Sequence, residues 1–78
     1  MQVRLRLFAA YRDIAGTDEL TLELPAGSNA LAAVSQVRNH FPRLPERPVI
    51  AINQEFSSLD RSLSEGDELA LLPPVAGG

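Results

Sequence analysis

The chain begins with two stretches in which apolar and polar residues alternate. In the first, Val3, Leu5 and Leu7 are separated by polar residues, and the same alternation recurs from Leu20 to Leu24. A period of two residues is typical of a β-strand with one buried face, so both stretches are predicted to be strands. Residues 9–15 between them predict a short helical turn, which makes the pair a hairpin with a widened connection.

The middle of the chain predicts one main helix. Apolar residues from Leu31 to Phe41 recur at spacings of three and four, which places them on one helical face. Ser28 or Asn29 is suited to cap the first turn, and Pro42 limits the end of the helix.

Three further strands are predicted in the second half of the chain. Val49–Ile52 is apolar and β-branched and predicts a central strand, followed by a turn and a short strand at Glu55–Phe56. A turn at residues 64–67 precedes the last strand, in which Leu69 and Leu71 share one face.

This order of elements predicts an α+β domain in which a mixed sheet of four to five strands packs on one main helix. The last strand is expected to lie beside the first. One helix covers only one face of a sheet, so the other face is expected to stay open. Residues 1–73 are predicted to form the domain, and residues 74–78 an extended flexible tail.

The tail sequence suits a segment that enters another protein. Pro73 and Pro74 lack an amide hydrogen and favour extended backbone, so they end the last strand. Gly77 and Gly78 have no Cβ and fit a narrow channel. We expect the carboxylate of Gly78, which is ionised at neutral pH, to be the reactive group after activation. The alternative is a Gly-Gly end that is merely flexible.

An apolar patch is expected on the open face at the root of this tail. Strand alternation directs Phe8 and Leu72 away from the helix, while Phe56 either joins them or folds into the core. Exposed apolar patches of this kind usually bind a partner.

Composition narrows the possible functions. The chain has 78 residues, no cysteine and one histidine, His40, which excludes a metal site built from His and Cys. Its net charge of -3 argues against nucleic acid, and it has no apolar run long enough to span a membrane. All seven basic residues are arginine, so the chain would be the donor in any conjugation to lysine. We expect a cytoplasmic protein without a bound metal or cofactor.

Three acidic residues near the tail, Glu65, Asp67 and Glu68, invite an acid–base interpretation. A turn with acids around a glycine is more often a solvated turn, which is the interpretation we favour. The serines lack a His-Asp partner set, so a nucleophilic triad is not expected. We predict no independent active site.

Several stretches resemble one family. The run from Glu65 to Gly78 resembles the C-terminus of the small, sulfur-carrying subunit of molybdopterin synthase, with Pro-Pro-Val-Ala-Gly-Gly as its specific part. Leu7–Gly16 resembles that family's first strand and helical turn, and residues 51–54 are similar to its central strand and turn. The Gly-Gly end alone is shared by all ubiquitin-like carriers.

The resemblance implies a β-grasp (ubiquitin-like) fold and a sulfur-carrying role for Gly78, with Gly77 as its slim neighbour. In this family an adenylating enzyme uses ATP to activate the terminal carboxylate, and a persulfide-bearing partner supplies sulfur, which leaves a thiocarboxylate (1-thioglycine). The tail then enters the large subunit and donates sulfur to cyclic pyranopterin monophosphate, forming the molybdopterin dithiolene. The family complex contains two small and two large subunits.

The resemblance also implies which residues contact partners. Phe8, Leu72 and Phe56 match apolar positions that face the large subunit, although some relatives carry an aromatic residue at the position of Leu72. Arg12 matches an arginine that pairs with an acidic group on the adenylating enzyme, and the alternative is a solvated surface charge. Four tail residues are expected to contact partners as well: Pro73, Pro74, Val75 and Ala76.

Three other functions remain open from the sequence. A sister carrier for thiamine thiazole synthesis would use the same chemistry at Gly78, although the Pro-Pro pair speaks against it. A ubiquitin-like modifier would be joined through Gly78 to lysines of other proteins. A plain binding module would have an inert tail.

Overall fold

A computed structural model describes residues 1–74 of the chain and contains every predicted element. The two helices and five strands follow one another in the order that the sequence indicates. Their bounds are β1 Gln2–Leu7, α1 Ala9–Ala15, β2 Glu19–Glu23, α2 Ala30–His40, β3 Val49–Ile52, β4 Glu55–Ser57 and β5 Glu68–Leu72.

The strands form one mixed sheet in the order β2-β1-β5-β3-β4. β1 and β5 run parallel, and the other three neighbouring pairs are antiparallel. The last strand lies beside the first, as predicted. It also occupies the centre of the sheet, whereas Val49–Ile52, predicted as the central strand, is the interior strand next to it. The α+β prediction, a mixed sheet with one main helix, is confirmed.

The core lies between α2 and one face of the sheet. Alternate strand residues such as Leu5, Ile50 and Leu71 are at most 1% exposed and belong to one apolar cluster with the buried side of the helix. The helix contributes its four small or branched residues: Ala30, Ala33, Val34 and Val37.

Two apolar residues that were expected on the buried face of α2 lie at its margin instead. Leu31 and Phe41 are each only half-buried. Because neighbouring helical residues differ by about 100° around the axis, a buried face that includes Ala30 turns Leu31 towards the surface. Asn29 is the N-cap, since its side-chain oxygen accepts a hydrogen bond from the amide of Ala32 at 2.9 Å.

The loop after α2 contributes a core residue that the sequence analysis did not identify. Leu44 is only 1% exposed, although it lies between prolines in a stretch without regular structure. Arg38 holds this loop in place, because its Nε donates to the carbonyl of Leu44 at 2.7 Å and one terminal nitrogen donates to that of Pro42 at 3.3 Å.

The turn between β3 and β4 is the two-residue connection at Asn53 and Gln54. Both residues have positive φ, 50° and 71°, which is the geometry of a type I′ hairpin turn. Asparagine tolerates this conformation, but glutamine does so poorly because its Cβ crowds the backbone.

Replacing Gln54 by Gly is therefore expected to raise the free energy of unfolding by about 0.5–1 kcal/mol, once the greater freedom of glycine in the unfolded chain is subtracted. Urea denaturation of the two proteins measures this difference. Gln54→Ala is the matched control, since it shortens the side chain but keeps the Cβ, and it should give no gain. An equal gain from both variants would contradict the backbone explanation.

Candidate functional site

The candidate site is the face of the sheet opposite α2. Cross-strand pairs direct their side chains to the same face, so the register defines its rows. One row runs from Arg6 through Ala70 and Ala51 to Phe56, and in the next row Leu72 lies opposite Val49.

One half of this face is apolar. Phe8 is 38% exposed, Val49 53% and Phe56 79%, and they are the exposed large apolar residues of the described chain. Together with the half-buried Leu72 they form what we name the apolar patch. Phe56 therefore joins the patch rather than the core, which decides between the two alternatives for this residue.

Phe8 is held at the edge of the patch by its neighbours. It is still extended, with φ -125° and ψ 152°, but Ala9 has a φ of 49°, which turns the chain sharply into α1. The guanidinium carbon of Arg6 lies 5.4 Å from the centroid of the Phe8 ring, within reach of a cation–π contact. The turn lets β1 end while the aromatic side chain stays on the open face.

The other half of the face carries charges that pair with one another. A carboxylate oxygen of Glu68 lies 3.7 Å from a terminal nitrogen of Arg4 and 3.7 Å from one of Arg6. A carboxylate oxygen of Glu19, on β2, lies 3.6 Å from the other terminal nitrogen of Arg4. Because these pairs are partly exposed, they add little to the free energy of unfolding. They form the polar border of the apolar patch.

The acidic residues near the tail have structural partners. Asp67 accepts hydrogen bonds from the backbone amide of Ser64 at 2.7 Å and from the side chain of Asn53 at 3.0 Å. Glu65 accepts from the amide of Gln2 at 3.0 Å. The geometry matches the solvated-turn interpretation, in which these carboxylates join the start of β5 to neighbouring turns.

Asp67→Ala is expected to lower the free energy of unfolding by about 1–2 kcal/mol, because it removes both acceptors of this turn. Urea denaturation of the two proteins measures this difference. Asp18→Ala, at an exposed position between α1 and β2, is the control for a generic loss of charge. An unchanged free energy of unfolding in Asp67→Ala would contradict the structural role of this carboxylate.

The predicted site residues other than the two phenylalanines of the patch fall into three groups, the last of which lies outside the described residues. Leu72 ends β5 and lies in the apolar patch, with Pro73 half-buried and Pro74 exposed directly after it. Arg12 is exposed on α1, away from any ion-pair partner within residues 1–74. The remaining four lie outside the described residues: Val75, Ala76, Gly77 and Gly78.

Val49 is the patch residue that sequence reasoning missed. Its stretch was predicted as an apolar central strand without a face for each residue, and in the structure its first residue points to the open face. The period-two pattern counted back from Ala51 would have given its orientation. None of the helices in residues 1–74 has the length and apolar character needed to cross a membrane.

Comparison with known sequences gives matches along almost the whole chain. The model of the ThiS family matches residues 5–78. A molybdopterin synthase sulfur carrier subunit of Arabidopsis thaliana is 33% identical, covering 100% of this chain and 84% of the relative. The corresponding protein of Chlamydomonas reinhardtii is 35% identical and both chains are fully covered, at 100% each.

Solved structures match in the same way. A putative molybdopterin converting factor subunit 1 from Pyrococcus furiosus has a TM-score of 0.85 at 28% identity, covering 96% of this chain and 99% of that one. SAMP1 of Haloferax volcanii has a TM-score of 0.85 at 25% identity, with 100% of both chains covered. A complex of subunits 1 and 2 of molybdopterin-converting factor from Helicobacter pylori gives 0.67 at 26% identity, again with 100% of both chains covered.

A more distant neighbour identifies the fold alone. A ubiquitin-like protein from Caldiarchaeum subterraneum has a TM-score of 0.58 at 15% identity and covers 99% of this chain and 100% of that one. The sheet and helix described above are thus those of the β-grasp fold, as the sequence resemblance implied.

Proposed function

The chain belongs to the ThiS family and is similar along its length to molybdopterin synthase sulfur carrier subunits. We therefore propose that it carries sulfur on Gly78 to the large subunit of that enzyme. The observation that supports this role most directly is the position of the apolar patch. Leu72, the last residue of β5, belongs to the patch and immediately precedes the Pro-Pro segment of the tail. A partner that receives the tail would meet the patch first.

The proposed chemistry takes place at the carboxylate of Gly78. In an adenylating partner this carboxylate attacks the α-phosphate of ATP and pyrophosphate leaves, which turns a poor electrophile into an acyl-adenylate. The terminal sulfur of a persulfide on the sulfur-donating partner then displaces AMP and forms an acyl disulfide. A second thiol of that partner cleaves the S–S bond, which leaves a thiocarboxylate on Gly78 and a disulfide on the partner. A dithiolene holds two sulfur atoms, so two carriers each transfer one to cyclic pyranopterin monophosphate. Each thiocarboxylate sulfur bonds to a carbon of the pterin in place of an oxygen, and water cleaves the resulting thioester, which returns Gly78 to a carboxylate.

The residues of this chain would bind and position, while the partners perform the catalysis. Phe8, Phe56 and Leu72 would contact the large subunit, and Arg12 an acidic group of the adenylating enzyme. The tail residues Pro73–Ala76 would line the channels that Gly77 and Gly78 enter. The Helicobacter pylori complex supports pairing with a second subunit, and we propose two small and two large subunits per assembly. The proposed reaction needs ATP, and we place it in the cytoplasm.

A second candidate function is protein modification. The likeness to SAMP1, a small archaeal modifier protein, favours it, because the two chains share a fold and a quarter of their residues. The same activated Gly78 would then react with lysines of other proteins. A sulfur carrier for thiazole synthesis is the remaining alternative with the same activation step.

The intact mass of the chain tests these proposals. The protein is incubated with ATP, an adenylating enzyme and a persulfide donor, and then with cyclic pyranopterin monophosphate and the large subunit. A gain equal to the exchange of one oxygen for sulfur, lost again in the second step, is the expected result. A gain that persists with the pterin points to another sulfur acceptor, higher-mass conjugates point to a modifier, and no gain overturns the carrier role.

A further inference from the structure

Two alanines occupy the middle of the open face. Ala70 of β5 lies directly opposite Ala51 of β3, and the two are only 7% and 8% exposed. They nevertheless lie outside the apolar core cluster, which is on the other face of the sheet. Taller side chains around them on the open face therefore bury them.

These neighbours form the walls of a shallow trough. Within the row, Arg6 stands next to Ala70, and Phe56 stands next to Ala51. Strands lie about 4.8 Å apart, so about 14 Å separates the backbones that carry these two walls. Leu72 and Val49 lie in the next row at the apolar end, and Glu68 lies in the next row at the polar end. The floor between these walls is low, because an alanine side chain ends at its Cβ.

The fold itself gives no reason for two alanines here. Both residues are in interior strands, where β-branched and aromatic side chains are favoured and alanine is not. A larger residue at either place would bury more apolar area against Phe56 and Leu72 and would not collide with the core across the sheet. A residue type that the fold does not favour at its position points to a contact with another molecule.

We propose that this alanine trough receives one bulky apolar side chain of the large subunit of molybdopterin synthase, and that the small size of Ala51 and Ala70 determines whether that partner fits. The proposal rests on the proposed function. The occupant follows from the position of the tail: Leu72 is both the residue before the Pro-Pro segment and the end wall of the trough. A protein that takes up the tail and contacts Leu72 therefore lies next to the trough.

The test is a calorimetric titration of the unmodified chain with the large subunit from the same organism. Ala51→Leu and Ala70→Leu fill the trough and are each expected to raise Kd at least about tenfold, the equivalent of about 1.4 kcal/mol. Thr21→Leu is the matched control: it adds a leucine to the same face, beside Arg4 and outside the trough. Its Kd should stay within about twofold of wild type.

The outcomes separate this proposal from the proposed function. Wild-type binding that Ala51→Leu and Ala70→Leu leave unchanged would overturn the trough and keep the carrier role. Failure of the wild-type chain to bind the large subunit would overturn both.

A second measurement needs no substitution. With alanine methyl groups labelled, the methyls of Ala51 and Ala70 should show intermolecular contacts in the complex, whereas that of Ala32, exposed on α2, should show none. Absence of these contacts in a formed complex would refute the trough even if the leucine variants failed to fold.

Discussion

Removing Gly78 is expected to abolish sulfur transfer and leave the melting temperature unchanged. The proposed reactive group is the carboxylate of this residue, and the shortened chain would present that of Gly77 one residue too early. One extended residue spans about 3.5 Å, more than the tolerance of a reacting geometry. Stability should not change, because Gly78 has no side chain to bury and the core cluster of the described residues ends at Leu71.

The measurement pairs a mass assay for the thiocarboxylate with a thermal melt of the same sample. Extending the chain by one glycine after Gly78 is the matched control, since it keeps every residue and displaces the carboxylate in the opposite direction, and it should be equally inactive. A deletion protein that still gains sulfur would move the reactive group elsewhere. A melting temperature lower by several degrees would show that the tail contributes to the fold.

Replacing Leu72 by Arg is expected to weaken binding of the large subunit by about 100-fold, since burying an uncompensated charge in an apolar contact costs about 3 kcal/mol or more. Leu72 is half-buried on the open face, opposite Val49. In the free chain the arginine can extend into water, so the melting temperature should change little.

Calorimetry with the large subunit measures this effect. Ala32→Arg is the control, because it adds the same charge at an exposed position of α2, on the far side of the sheet. If both variants bind the large subunit as tightly as the wild-type chain does, Leu72 is not in the interface. If both lose affinity alike, the loss reflects the added charge of the chain rather than its place.

The elements of this fold were predictable because each has a local signal. Alternation defines β1 and β2, Gly16 with φ 74° ends α1, and an asparagine caps α2. The place of β5 beside β1 was also expected, since the order of elements leaves few ways to pair a last strand with the first.

Residues whose burial or orientation depends on distant parts of the chain were harder to predict. Leu44 belongs to the core only because Arg38 fixes the loop around it, and no periodicity marks a single apolar residue between prolines. Val49 and Ala51 belong to the open face because of the register of β3 against β5. A one-residue shift in that register would have placed both in the core.

The candidate site shows the same division. Phe8 and Leu72 could be assigned to the open face from alternation along their own strands. The alanine trough could not, because it exists only where β5, β3 and β4 are placed side by side, and the sequence does not state their order. The role of the acidic residues likewise depends on the three-dimensional structure, in which Asp67 accepts hydrogen bonds from Ser64 and Asn53.

The central place of β5 has a consequence for how the protein matures. β5 pairs with β1, from which most of the chain separates it, and with β3, from which some fifteen residues separate it. The sheet is therefore complete only when β5 inserts between these two strands. A topology rich in such distant pairings folds more slowly than a helical bundle of the same size. A nascent chain that still lacks β5 has neither the trough nor a Leu72 beside Val49. The proposed docking surface is thus present only in molecules whose sheet is complete.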